Sequence, residues 1–372
     1  MGVHEYEVGL HRDEIDTPAL LLDLRAMEHN LHTMAAYFEE VKPVLRPHVK
    51  LHRATPFLAH RQLQAGAVGL TCAKLTEAET LAASGITDIL IANEIVGARK
   101  VARLVNLASY TDVMVAVDNH DNVQELSTAA QARGVALRVL VEVNIGHDRC
   151  GVGPFGPALA LSRAVEESPG LRYTGLMGYD GHCTFGVEDA ERPRLSKKAN
   201  TILVDTRRMI EDAGLRVEIV SAGGTFTYRY AASVEGVTEI QAGTYLLMDT
   251  AFKERGVGNF DCALTVMSTV ISRPSWRGAE HLAVIDLGSK GISTQLGVPE
   301  IKAPEGARVI KFSQEHGRVD LAHAAHDLRI GDRVELWVRD ANGTINLFDK
   351  FYALRGDMVE AVIEIPALGN RT

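Results

Sequence analysis

Lys50 is the residue whose setting most directly offers covalent chemistry. It sits in Arg46-Pro-His-Val-Lys50-Leu-His52-Arg53, closing the apolar run Pro43-Val-Leu. A lysine at a strand end among cations has its pKa lowered, and the neutral amine attacks carbonyl carbon to form imines. Taken alone, the octapeptide reads equally well as a basic surface loop. A second stretch, Ser221-Ala-Gly-Gly-Thr225-Phe-Thr227, joins glycines to hydroxyls. Backbone N–H groups beside glycines, with Ser or Thr hydroxyls, are the usual donors to a phosphate, although Gly-Gly-Thr also occurs in plain turns. An imine-forming lysine plus a phosphate cradle points to pyridoxal 5'-phosphate (PLP), a cofactor anchored at both ends.

Other side chains carry weaker signals. His182, in Gly178-Tyr179-Asp-Gly-His182, suits proton transfer near neutrality. His48 and His52 read as packing groups or as acid–base groups. Lys74 reads as a solvated helix-start residue, and Asp286 and Lys290 as loop residues. His316, in Gln314-Glu-His316-Gly, receives no task. The four cysteines (72, 150, 183 and 262) form no C-x-x-C pair, so they read as reduced thiols of a cytoplasmic protein, Cys150 and Cys183 as packing residues.

These residues need a scaffold that gathers them. Apolar runs at 44–49, 67–72, 88–92, 113–117, 138–145, 173–178, 217–221 and 238–241 alternate with amphipathic segments at 75–84, 97–108, 121–133, 156–167 and 195–213. Gly85, Gly134 and Gly214 each stand where a left-handed helix cap wants glycine. Nearly all-apolar strands separated by single helices predict a covered parallel sheet, and eight such units favour a closed (β/α)8 barrel over an open sheet. A barrel gathers reactive residues at the C-terminal ends of its strands. That rule selects Lys50 with His48 and His52, Lys74, Asn93, Asp118, Asn144 with Arg149, Tyr179 with His182, 221–227 and 241–245.

The barrel is expected over 25–250. Residues 1–24, with a strand at 18–24, and 251–372 are expected to form a β-strand domain, with strands at 262–272, 281–286, 307–312, 332–338 and 344–354 and a hairpin turn at Asp340-Ala-Asn342-Gly343. A formal charge of −9 without any Lys/Arg-rich run argues against nucleic acid as a partner. No stretch is apolar enough to span a membrane, and the N-terminus does not read as a signal peptide.

The motifs together resemble a known family. Thr17-Pro-Ala-Leu-Leu-Leu-Asp, Arg46-Pro-His-x-Lys50, Asn144-x-Gly-x-x-Arg149-Cys-Gly-Val, Gly178-Tyr179-x-Gly-His182, Ser221-x-Gly-Gly-Thr225 and Gln241-Ala-Gly-x-Tyr245 occur in the order of the D-threonine aldolase / D-serine dehydratase group. That group belongs to the fold-type III, alanine racemase-like PLP enzymes, and the resemblance runs from about residue 16 to residue 357. It implies that Lys50 carries PLP and serves as a base at Cα, that Arg149 sits by the ring, and that Tyr179 lies near the ring nitrogen or the substrate carboxylate. Gly223, Gly224, Thr225, Gly243 and Thr244 would hold the phosphate, with His48, Ser221, Gln241 and Tyr245 also in the cofactor site. A homodimer is implied, the β domain of one subunit closing the site of the other.

The group also uses a divalent metal held by a His-x-Asp or His-x-Cys pair. Here that pair falls on Asp340 and Asn342, two oxygen donors that would suit Mg²⁺, Mn²⁺ or Ca²⁺ rather than zinc, or else form only a turn. A second histidine common in the aldolases is replaced by Phe185. The expected activity is a lyase acting on a D-β-hydroxy-α-amino acid, by retro-aldol cleavage or by dehydration. The alternatives are a metal-independent amino-acid racemase or epimerase and a non-catalytic PLP carrier.

Overall fold

The structure, a computed structural model, describes residues 5–184 and 186–366, so Phe185 lies outside the described residues. In chain order the first elements are β1 (Ala19–Asp23), α1 (Leu24–Glu39), β2 (Val44–Leu45), α2 (Pro56–Gln64), β3 (Leu70–Cys72), α3 (Leu75–Ala83), β4 (Asp88–Glu94) and α4 (Ala98–Leu107). Then come β5 (Asp112–Val117), α5 (His120–Arg133), β6 (Leu137–Glu142), α6 (Gly156–Glu167), β7 (Leu171–Gly178), α7 (Arg192–Asp212), β8 (Ile219–Ala222), α8 (Tyr228–Ala232) and β9 (Glu239–Ile240). The chain divides into two compact units, one of residues 34–244 and one that joins the N-terminal residues to those from 245 onward.

In the first unit, β2 to β9 form one parallel sheet in the order β2-β9-β8-β7-β6-β5-β4-β3. The outer strands meet across a seam. Val68 N–H donates to Leu45 O at 3.0 Å, Thr71 N–H to Pro47 O at 2.9 Å and Val49 N–H to Thr71 O at 2.8 Å. The eight strands therefore close into a barrel. Consecutive strand residues such as Ile89, Leu90 and Ile91, or Val113 to Val117, are all buried, as strands covered on both faces must be. Gly134 ends α5 at φ 72, where its N–H reaches the Ala130 and Gln131 carbonyls, the left-handed cap that its position predicted.

Helix α2 was not foreseen. Its buried face is Leu58, Ala59 and Gln62, and the glutamine interrupts the apolar stripe by which a helix is recognised.

The second unit continues with α9 (Thr250–Lys253), β10 (Leu264–Ser272), β11 (Leu282–Ile285), β12 (Ile301–Ala303), β13 (Arg308–Phe312), β14 (Gly317–Asp320), β15 (Arg333–Trp337), α10 (Ala341–Ile345), β16 (Lys350–Arg355) and β17 (Met358–Glu364). The sheet order is β13-β14-β11-β10-β1-β16-β17, with β15 pairing β10 and β12. Strand β1 lies in this sheet, antiparallel to β10 and parallel to β16. Two expectations fail. Residues 344–349 are not strand, and Asp340 to Gly343 is not a hairpin turn, because β15 and β16 are not paired. Instead Asp340 caps α10, its Oδ1 accepting the Gly343 N–H at 3.0 Å, an arrangement that Asp favours as strongly as a turn.

Candidate active site

The basic octapeptide splits into separate tasks. Arg46 is buried, its Nε donating to Glu239 Oε2 at 2.7 Å and its Nη1 and Nη2 to Asp88 at 2.8 and 3.2 Å. His52 is fully buried, paired with Gln62 Oε1 at 3.2 Å, and burial pushes it down to about 4, so it stays neutral. Arg53 pairs with Glu77 at 3.3 Å. Lys50 and His48 remain at the mouth. Lys50 keeps an exposed face yet is walled by protein, and its pKa is lowered first by burial and then by Arg149, with Glu77 opposing. The cation that matters is thus Arg149, from the far side of the barrel. His48 Nδ1 accepts the Lys50 N–H at 3.3 Å, and burial holds the imidazole well below its usual range, Lys50 and Arg149 adding to the shift.

Arg149 is presented by the loop that leaves β6. Asn144 Oδ1 accepts the N–H groups of Gly146 and Asp148 at 3.0 and 3.2 Å, and Asn144 Nδ2 donates to Asp148 Oδ1 at 2.9 Å. Asp148 turns at φ 53, and Gly151, at φ 98, has no room for a Cβ, which would lie 2.7 Å from Asn144 N. Gly151 N–H reaches Asp118 Oδ2 at 3.1 Å. The Arg149 guanidinium carbon then stands 5.4 Å from the centroid of the Tyr179 ring.

Tyr179, at the end of β7, lies against the glycine turn that follows β8: a Cβ on Gly224 would sit 3.3 Å from Tyr179 Cε2. Gly243, after β9, admits no Cβ either, because the His48 carbonyl oxygen would be 2.2 Å away. Lys50, Arg149, Tyr179 and the Gly223-Gly224-Thr225 turn are therefore gathered at one barrel mouth. Gly224 spends its N–H on Thr227 Oγ1 at 3.1 Å, leaving it committed within the turn. Ser221 and Gln241 are also committed inward. Gln241 Nε2 donates to Ser221 Oγ at 2.8 Å, and Ser221 Oγ donates to Glu239 Oε1 at 2.7 Å. Tyr245 is buried in the other unit, its ring 5.8 Å from that of Phe260.

Two features escaped sequence reading. His147, an unmarked position of the Asn144-to-Arg149 motif, packs its ring 5.3 Å from Tyr179 and stacks 6.5 Å from His182. His182 Nδ1 is buried without a hydrogen-bond partner among the described residues. Behind Arg149, oxygens of Glu94 and Glu142 lie with Cys150 Sγ within 4.8 Å of one another. Glu142 is pushed up to about 8, first by burial and then by Glu94, with Arg149 opposing and Asp118 adding to the rise. The ends of β4 and β6 meet across β5 in the folded sheet, so no local pattern could have shown the pair.

Glu142 gives a pH prediction. Between the usual carboxyl range and about 8 the folded chain holds a proton that the unfolded chain has released. Stability contributed by this group must therefore fall as pH rises through that window and level off above it. Glu142→Gln removes the titration. The difference in Tm between Glu142→Gln and wild type is expected to grow in favour of the variant from pH 5 to pH 8.5, about 5 being near the unfolded carboxyl range. A difference that stays flat across the series would refute the assignment.

A family model described as alanine racemase, N-terminal domain, matches residues 22–251, and a serine dehydratase domain model matches residues 263–354. The chain belongs to the alanine racemase N-terminal domain family. Within this PLP-dependent family it is 34% identical over 358 residues to a D-threonine aldolase of an Arthrobacter species, covering 95% of this chain and 93% of that one. It is 31% identical over 371 residues to a 3-hydroxy-D-aspartate aldolase of Paracoccus denitrificans, covering 97% and 94%. The crystal structure of D-threonine aldolase from Filomicrobium marinum matches with a TM-score of 0.92 and 35% identity over 98% of each chain. The family resemblance read from the motifs and the racemase-like architecture are thus both confirmed.

The pair Asp340 and Asn342 does not fit a divalent cation. Both Asp340 oxygens are occupied, Oδ1 by the Gly343 N–H at 3.0 Å and Oδ2 by Ser293 Oγ at 2.6 Å, while Asn342 is exposed. A carboxylate already committed on both oxygens to a helix cap and a serine, with only an exposed amide two residues on, is a poor start for a hard cation, which wants several free oxygen donors.

Proposed function

We propose that this protein is a PLP-dependent lyase that cleaves D-configured β-hydroxy-α-amino acids to glycine and an aldehyde. The observation that carries the reading is Lys50, an amine of depressed pKa walled into a barrel mouth beside Arg149, Tyr179 and the glycine turn. The aldolase relatives point to the same substrate class. PLP, when bound, accepts the electrons released at Cα of an attached amino acid. Lys50 would hold the cofactor through Nζ, its lowered pKa keeping more of the amine unprotonated near neutrality. Gly223, Thr225, Gly243 and Thr244 would surround the phosphate, and Arg149 and Tyr179 would flank the ring.

His182 is assigned the proton of the substrate's β-hydroxyl, whose removal starts Cα–Cβ cleavage. Its buried, unpartnered Nδ1 and its neighbour His147 make it the imidazole of choice. Dehydration, the reaction suggested by the match to a serine dehydratase domain, would follow if Lys50 took the Cα proton and the hydroxyl left. No step is routed through a metal, because Asp340 and Asn342 do not offer one a site. The resemblance further supports a homodimer, and the four free cysteines support a cytoplasmic setting.

The test is a product assay. D-Threonine, D-3-hydroxyaspartate and D-serine are incubated with the enzyme, with and without EDTA, and aldehyde plus glycine are measured against 2-oxo acid. Aldehyde is expected, with turnover lowered about 100-fold or more in His182→Asn at unchanged PLP content. If neither product forms from any of the three, the proposal is wrong.

A further inference from the structure

We infer that Asp180 is the positioning residue that sets the shape of the glycine turn for the cofactor phosphate and couples that turn to the Tyr179–His182 segment. The inference rests on the PLP reading above. Asp180 is fully buried, and nothing in the proposed chemistry uses it. A buried carboxylate is costly unless hydrogen bonds fill its lone pairs. Here they come from three places. Ser196 Oγ at 2.6 Å and Asn200 Nδ2 at 3.1 Å, both on α7, donate to Oδ2, and Thr227 Oγ1 donates to Oδ1 at 2.9 Å.

Thr227 has a single hydroxyl proton, which leaves no freedom in this arrangement. Its neighbours are the Asp180 carboxylate, which only accepts when ionised, and the Gly224 N–H, which only donates. The proton must go to Asp180, so the Thr227 oxygen must receive Gly224. Thr227 N–H returns to Gly224 O at 3.0 Å and closes the turn on itself. One residue upstream of Asp180, the Tyr179 ring already lies against Gly224. Two residues downstream, His182 sits in the short 3-10 turn Gly181–Cys183, whose Cys183 N–H reaches Asp180 O at 2.9 Å. Asp180 thus joins β7's acid–base turn, β8's glycine turn and helix α7. A turn whose shape is fixed before the ligand arrives loses less freedom on binding, which strengthens binding.

The alternative is that Asp180 merely glues α7 to the barrel, and the two readings separate by experiment. In Asp180→Asn, the Asn200 amide still demands an acceptor, so the new amide must turn its NH₂ toward Thr227 and displace the hydroxyl proton. Thr227→Val removes the link from the other side. The full-length chain is stripped of cofactor, and PLP is titrated by absorbance. In parallel, inorganic phosphate is added and Tm is followed.

Asp180→Asn and Thr227→Val are expected to weaken PLP binding about tenfold and to lose the Tm gain from phosphate, one oriented hydrogen bond being worth about a factor of ten. Thr227→Ser, which restores the hydroxyl, should bind within about threefold of wild type. Ile210→Ala, a cavity at the far end of the same helix, should lower Tm and leave PLP affinity alone. Should the valine variant not fold, Thr227→Ala carries the same test. Wild-type affinity in both Asp180→Asn and Thr227→Val, failure of serine to rescue, or equal weakening by Ile210→Ala overturns the inference. Failure of wild type itself to bind PLP would instead overturn the cofactor reading.

Discussion

Replacing Lys50 with alanine is expected to lower turnover by about 1,000-fold or more while leaving the fold intact. In the proposed function Lys50 would be the covalent anchor of the cofactor, and general acid–base catalysis alone is worth about 10²–10⁴. The side chain has an exposed face and its amine is destabilised in the charged form, so the fold loses little without it. Unfolding free energy should change by no more than about 0.5 kcal/mol, as for an ordinary exposed position. The visible absorbance of lysine-bound PLP should vanish, and a small primary amine added to the buffer should restore part of the activity. Retained absorbance at full strength in Lys50→Ala would place the cofactor elsewhere.

The largest expected loss of stability comes from Arg46, only four positions away. Its guanidinium joins Glu239 on β9 to Asp88 on β4, and Glu239 extends the chain to Ser221 and Gln241. Arg46 and Glu239 are 3% and 2% exposed, which makes this an ion pair of the barrel interior. Such pairs are weak evidence for net stability, yet removing one partner strands the other charge, at a cost of about 3–5 kcal/mol. Arg46→Ala should lower the urea midpoint accordingly. Arg46→Met with Glu239→Met should recover most of the loss, because neither charge is then left buried alone. A double variant no more stable than Arg46→Ala would show that the network supports the fold by something other than charge compensation.

The two residues show how far the sequence could be read. The alternation of apolar runs and helical segments was legible because parallel strands are buried on both faces, so Ile89 to Ile91 or Val113 to Val117 stand out in any window. The strand-end rule also led to Lys50, Arg149, Tyr179 and the glycine turn, since a barrel exposes those ends together. What sequence could not divide was the octapeptide itself. Arg46, His48, Lys50 and His52 look alike as a basic run, yet two of them are committed to partners supplied by β4, β9 and α2. Glu142, His147 and Asp180 were invisible for a related reason. Each takes its meaning from partners on other strands or helices, and the contacts exist only in the folded chain. Asp340 misled in the opposite direction, because the residue types that favour turns are those that cap helices.

The seam between β2 and β3 has a further consequence. Pro47 has no N–H, so at that position the seam is held by its carbonyl alone, flanked by the amides of Val68 and Val49. Because neighbouring residues of a strand face opposite ways, a one-residue slip in register there would turn Arg46 out of the interior and carry His48 and Lys50 with it. Correct register at this seam and the placement of Lys50 at the barrel mouth are then coupled. A chain that completes its barrel out of step would be compact and folded, and chemically silent.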